Sequence, residues 1–294
     1  MERLSTRYQY DSYLSRIHQA YGRMAVAQDA VTSGKRPDLV KNDPAGASFV
    51  MRSTSLKAAT EQYKKNLSNA NDYLKFSEAA LGDIHDLLKQ GYSLAIQGAS
   101  SATDQVARNT MAKQVEALQT KLLELGNTRG ASGQYIFAGT MSDTKPFTTA
   151  AGSLVYNGDS GFVKVEIGPG ETLDVNTPSN SMMLTAYTAL EGLRNSLTGG
   201  NISLLSGQDI ANLQLSMDAV KSERGVVGSR LQYVQEQSQR HDRRIDDLTK
   251  RISDVEDVDM AQAITDYQLA QTVYQAALQS SAMAERLSLM DFIR

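Results

Sequence analysis

The sequence predicts a mainly α-helical protein, with long terminal helices pairing as a coiled coil, further long helices between them, and a small β-rich insert. Three observations predict this. All five prolines lie between Pro37 and Pro178, so 1–36, 45–145 and 179–294 carry none. A proline inside a helix costs ~3 kcal/mol or more, so those stretches are open to long helices. Apolar residues recur at heptad spacing near both ends of the chain, while short alternating runs bounded by glycine occur only in the middle.

The first helix is predicted from Tyr10, Leu14, Ile17, Tyr21, Met24, Gln28 and Val31, which alternate spacings of four and three. That stripe lies on one helix face and needs a partner helix. Ser33-Gly34-Lys35-Arg36-Pro37 ends it. Asn42-Asp43-Pro44 starts the next helix, with Asp43 as N-cap and Pro44 in the first turn. Leu56, Tyr63, Leu67, Ala70, Leu74, Ala80 or Leu81, Ile84 and Leu88 give that helix an apolar face. A break is expected at Gly98-Ala99-Ser100-Ser101, with Thr103 or Asp104 as the following cap. Met111, Val115, Leu118, Leu122 and Leu125 carry the pattern on to Gly126.

The middle reads differently. Gly133-Gln134-Tyr135-Ile136-Phe137-Ala138-Gly139 is expected as a strand bounded by turns. Leu154-Val155-Tyr156 leads into Asn157-Gly158, a hairpin signal. Phe162–Ile167 alternates like a strand with one wet face, Gly168-Pro169-Gly170 turns the chain, and Thr172–Val175 returns it. A helix from about Met182 to Leu197 closes this insert, roughly 134–180. From Gln208 to about Ile252 the pattern is helical again, some 45 residues and therefore about 70 Å long. Ser253–Asp259 marks a break with a new N-cap. Met260, Ile264, Tyr267, Gln271, Tyr274, Leu278 and Ser281 form a second heptad, with Ala263, Ala270, Ala277 and Ala284 beside it. Neither terminal seam can be buried alone, so the two ends are expected to pair with each other and with copies of the chain.

Composition narrows the function. The 294 residues carry 30 Lys+Arg against 33 Asp+Glu, a formal charge of −3, which leaves no basic excess for phosphates. No membrane is expected as partner either, because no stretch approaches the ~18 apolar residues a spanning helix needs. Met1–Tyr10 lacks the apolar core of a secretory signal; a cytosolic protein or export without signal cleavage is expected. With no cysteine, there are no disulfides, thiol nucleophiles or Cys-ligated metals. His18, His85 and His241 are scattered, and no nucleophile–base set can be assembled. No enzyme, cofactor or metal site is therefore expected. Asp254, Glu256, Asp257 and Asp259 lack EF-hand spacing and read as helix-capping carboxylates. His241, beside Asp242, Arg243 and Arg244, reads as part of a solvated face.

Three blocks of residues resemble the flagellin superfamily of bacteria, and most closely its hook–filament junction branch, the third type of hook-associated protein. The first is Thr32-Ser33-Gly34-Lys35-Arg36 followed by Asn42-Asp43-Pro44-Ala45-Gly46-Ala47. The second is Leu125-Gly126-Asn127-Thr128-Arg129 running into Gly133–Gly139, whose Gly-x-Tyr-x-Phe-x-Gly pattern is typical of the junction branch. The third runs from Asp257-Val258-Asp259-Met260-Ala261 to Leu287-Ser288-Leu289-Met290-Asp291-Phe292. The β-rich insert is smaller than in many members of the family.

That resemblance implies a terminal coiled-coil, inner-tube domain of 1–36 and 258–294. It implies a helical rod of 37–133 and 181–257, and an outer insert of 134–180. It implies a structural adaptor of the flagellum, transiently cytoplasmic, exported by the flagellar type III apparatus, and extracellular once assembled. The implied partners are copies of itself, the hook-side junction protein (hook-associated protein 1), flagellin and a flagellar export chaperone. Subunit contacts are expected at Tyr10, Leu14, Ile17, Tyr21, Met24, Asp43, Pro44, Ile264, Tyr267, Tyr274, Leu278 and Leu287. Chaperone contacts are expected at Leu278, Leu287, Met290 and Phe292, and anchoring of the insert at Tyr135 and Phe137. A flagellin filament subunit is the alternative within the superfamily. A cytosolic coiled-coil chaperone or signalling protein is the alternative outside it.

Overall fold

A computed structural model of the chain describes residues 2–150, 152–177 and 179–292, with side chains described for 8, 11–150, 152–177 and 179–283. The elements are α1 (Glu2–Ser33), α2 (Leu39–Asn42), α3 (Pro44–Ala99), α4 (Gln105–Gly126), β1 (Phe147–Ala150), β2 (Ser153–Tyr156), β3 (Lys164–Gly168), β4 (Glu171–Asp174), α5 (Asn180–Gly199), α6 (Ile202–Leu204), a π-helical turn (Leu205–Asp209), α7 (Ile210–Glu256) and α8 (Met260–Phe292). They form two compact units, Met1–Ala59 with Arg244–Arg294, and Thr60–Arg243.

Helix ends sit where local chemistry satisfies the free backbone groups. The Asp43 carboxylate accepts from the Gly46 N–H at 2.8 Å, Asp104 from Ala107 at 2.7 Å, and Asp259 from Ala261 at 2.9 Å. All three caps fall where the sequence predicts starts. The Gly34 backbone is left-handed, with φ 69°, which stops α1. At the break after α3, the buried Arg108 guanidinium donates to the Gly98 and Ser100 carbonyls at 2.9 and 3.1 Å. A cation on terminal carbonyls is favourable there.

The Thr60–Arg243 unit has a core with a seven-residue period. Leu67, Leu74, Leu81 and Leu88 of α3 are fully buried, as are Val115 and Leu122 of α4, Met183, Leu190 and Leu197 of α5, and Leu213, Val220 and Val227 of α7. All belong to one apolar cluster. A sustained period of seven is the pattern of left-handed helix bundles packed knobs into holes. Each buried Leu or Met contributes about 1.5–3 kcal/mol relative to exposure.

The β-rich part consists of two separate antiparallel hairpins, β1–β2 and β3–β4. Phe147 pairs with Tyr156, and Lys164 with Asp174, with a bulge between Glu166 and Gly168. Two sequence expectations are corrected. Asn157-Gly158 is not a hairpin turn: the β1–β2 turn contains Gly152, with φ 84°. Asn157 instead donates its N–H to the Pro146 carbonyl and its side-chain amide to Thr148 Oγ1. Nor is Gly133–Gly139 a strand. Tyr135 N–H bonds Ser142, Ile136 N–H bonds Thr128, and the Ala138 carbonyl accepts from Asp159, so successive groups find different partners and no ladder forms. The β3–β4 turn falls at Gly168-Pro169-Gly170 as expected.

Candidate functional site

Two places gather the residues that sequence reasoning singles out. The first is the pair α1–α8, in the Met1–Ala59/Arg244–Arg294 unit. Arg36 N–H donates to the Glu256 carbonyl at 2.7 Å and Val258 N–H to Gly34 at 3.0 Å, so the end of α1 meets the start of α8. Tyr21 and Tyr274 rings lie 5.7 Å apart further along. The pair is therefore antiparallel. Lys35 Nζ on Glu256 at 2.9 Å and Arg36 Nε on the Asp257 carbonyl fasten the same corner. Glu256 is thereby paired, Asp257 accepts from Ser253 Oγ, and Asp259 caps α8, which accounts for three of the four clustered carboxylates.

The seam between these helices is rotated by one residue from the predicted heptads. On α1 the buried or half-buried line is Tyr13, Ile17, Ala20, Met24, Ala27 and Val31; on α8 it is Ala263, Tyr267, Ala270, Tyr274, Ala277 and Ser281. Predicted and observed stripes share Ile17, Met24, Val31, Tyr267, Tyr274 and Ser281. Where they differ, an alanine faces inward at every position but Tyr13, and the larger neighbour faces out. Leu14, Tyr21, Ile264 and Leu278 are exposed, at 38%, 54%, 43% and 41%. The physical reason is that helix separation follows the side chains at the contact, and alanine permits close approach. Leu269, Val273 and Met283 add to the outward apolar face of α8. Asp43 and Pro44 lie exposed at the α3 start. The side chains of Tyr10, Leu287, Met290 and Phe292 lie outside the described residues.

The second place is the seat of the insert, in the Thr60–Arg243 unit. Phe137 and Phe147 are fully buried, with Ile136 and Ile167 1% exposed. Tyr135 lies against the Arg129 guanidinium, 4.4 Å from ring centroid, and accepts from its Nη2 at 2.8 Å. Helix side chains then grip carbonyls of the insert. Tyr73 Oη donates to Ile136 at 2.7 Å, Asn66 to Glu166 at 2.8 Å, Asn127 to Phe147 at 2.9 Å, Tyr187 to Gly152 at 3.1 Å and Arg230 to Asn176 at 2.8 Å. His241 is part of this set, which corrects the expectation of a solvated face. It is 8% exposed, and its Nε2 lies 2.7 Å from the Ile167 carbonyl. A carbonyl only accepts, so Nε2 carries the hydrogen. Its neighbours in sequence gave no sign of this, because Asp242 pairs with Lys64 at the surface.

Electrostatics at the seat is structural in kind. Burial, and secondarily the nearby Tyr156, push the Tyr73 phenol up to about 12. Hydrogen bonds from the Thr140 side chain, the Thr140 N–H and the Gly161 N–H hold Asp159 below the ordinary carboxylate range. Gly139, with φ 71°, passes directly against Asp159 and leaves no room for a Cβ. Among the described residues no group of three metal-ligating side chains converges, and no helix is long and apolar enough to cross a membrane.

Residues 4–142 match the bacterial flagellin N-terminal helical region, and residues 210–293 match the bacterial flagellin C-terminal helical region. The chain belongs to the bacterial flagellin family. Within the flagellin family its likeness is uneven. It is 22% identical to flagellar hook-associated protein 3 of Escherichia coli over 98% of both chains. To polar flagellin F of Vibrio parahaemolyticus it is 23% identical, but over only 38% of this chain and 30% of that one. In fold it is similar to a flagellar hook-associated protein structure from Vibrio parahaemolyticus, with a TM-score of 0.68, 18% identity, and coverage of 73% of this chain and 99% of that one.

Proposed function

We propose that this flagellin-family chain is the structural adaptor that joins the hook-side junction protein to the flagellin filament. The observation that carries this reading is the end-to-end similarity to hook-associated protein 3, against a match to flagellin confined to part of the chain. The middle of the chain, where the insert lies, is thus shared with the hook-associated proteins.

The physical basis is assembly through the outward faces of α1 and α8. Leu14, Tyr21, Ile264 and Leu278 carry exposed apolar surface in the single chain, and contiguous surface of that kind marks interaction sites. Copies of the chain, hook-associated protein 1 and flagellin cover these faces in a head-to-tail lattice, whose heterologous contacts generate a ring or tube. The chain is exported by the flagellar type III apparatus, with a chaperone on the C-terminal apolar residues Leu278, Leu287, Met290 and Phe292. It acts outside the cell. Tyr135 and Phe137 anchor the outer insert to the helices. Deletion of the gene tests the reading: cells with hooks but no filaments, shedding flagellin into the medium, are expected. Motile deletion cells overturn it.

A further inference from the structure

The π-helical turn Leu205–Asp209 holds a carboxylate that the assembly reading does not use. Asp209 is 4% exposed, and its Oδ2 has no hydrogen-bond partner among the described residues. It faces α5: a Cβ on Gly192 would lie 3.3 Å from Oδ1, and the buried Ser196 side chain bonds the carboxylate. The charged groups on the elements around it are engaged elsewhere or face solvent. On α5, Glu191 and Arg194 pair at 3.8 Å, and Arg194 also reaches Gln119. On α4, Asp104 caps its own helix, Arg108 holds the Gly98 and Ser100 carbonyls, and Lys113, Glu116, Lys121 and Glu124 are exposed. The last ten residues of α3 contain one titratable side chain, Tyr92, which accepts from Gln214. Neither α6 nor α7 from Ile210 to Met217 contributes a charge. Among the described residues no ion pair joins Asp209 to a cation, and burial pushes its carboxyl above the ordinary range, against the opposing Ser196 bond.

We propose that this corner is an acid-responsive joint: it is closed when Asp209 is neutral and loosened when Asp209 ionises. A buried carboxylate without a cation is unstable relative to a hydrated one, so opening the turn relieves the charge. Because the folded value is raised, the stabilisation is fully present below the ordinary Asp value and is lost as pH rises through the raised one. The inference stands independently of the assembly reading.

The test is hydrogen exchange on the full chain between about pH 4 and 8, corrected for intrinsic exchange chemistry. Peptides from 190–212 are compared with peptides from 67–88. Protection of the first set should fall with rising pH by up to about tenfold per unit, the slope set by release of one proton. Asp209→Asn should flatten that slope. A flat wild-type profile, or a slope retained in Asp209→Asn, overturns the proposal. Should Asp209→Asn fail to fold, Ser196→Ala decides: losing the one donor to the ionised form must extend the loosening to higher pH, and an unchanged profile overturns the idea.

Discussion

His241 carries the clearest consequence of a single side chain. Its ring reaches the Ile167 carbonyl from α7 and lies 6.1 Å from the Tyr63 ring. Replacing it with alanine orphans a buried carbonyl, so His241→Ala should cost about 1–3 kcal/mol, read from the denaturant midpoint. Phe137→Ala, at a fully buried position, should cost about 3–5 kcal/mol. Tyr73 gives a spectroscopic prediction. Its phenol, pushed up to about 12, should ionise last in an ultraviolet titration. The stability it confers as a neutral donor is present below the ordinary tyrosine value and lost as pH rises through the raised one. Tyr73→Phe should abolish that late phase. Asp159 has the opposite sign: its depressed value means a contribution present above the ordinary carboxylate range and lost as pH falls through the lowered one.

At the scale of elements, Ala20 and Ala263 set how α1 and α8 meet. They are 6% and 7% exposed. Ala20→Leu should loosen the pair, since overpacking costs about 1–3 kcal/mol, whereas Leu14→Ala should leave the melting curve of the single chain nearly unchanged. Asp259→Ala, which removes the α8 cap, should cost about 1 kcal/mol. Helix ends were legible in the sequence because Asp43, Asp104, Asp259 and Gly34 act on backbone groups within a few residues. The one-residue rotation of the seam was not, because two heptad stripes share Ile17, Met24, Val31, Tyr267, Tyr274 and Ser281, and only the partner helix decides which flank turns inward. Similarly, Asn157-Gly158 carries a local turn signal that pairing with β1 overrides, and the burial of His241 depends on a hairpin 74 residues away.

For the whole molecule, the proposed assembly would load faces of α1 and α8 other than those that pair in the single chain. Ile264→Glu or Leu278→Glu, at exposed positions, should therefore leave circular dichroism and melting of the purified chain unchanged. The same cells should carry hooks without filaments. Loss of helix in the purified variants would instead place those residues inside the fold, and normal motility would remove them from the interface.

The grip on backbone carbonyls has a consequence for variation. Asn66, Tyr73, Asn127, Tyr187, Arg230 and His241 all hold oxygens that every amino acid supplies. The hairpin tips are thereby freed to change their identity while their attachment persists. Gly170, with open space around it, is where a foreign epitope could be spliced between β3 and β4 and displayed, with the helices beneath it undisturbed.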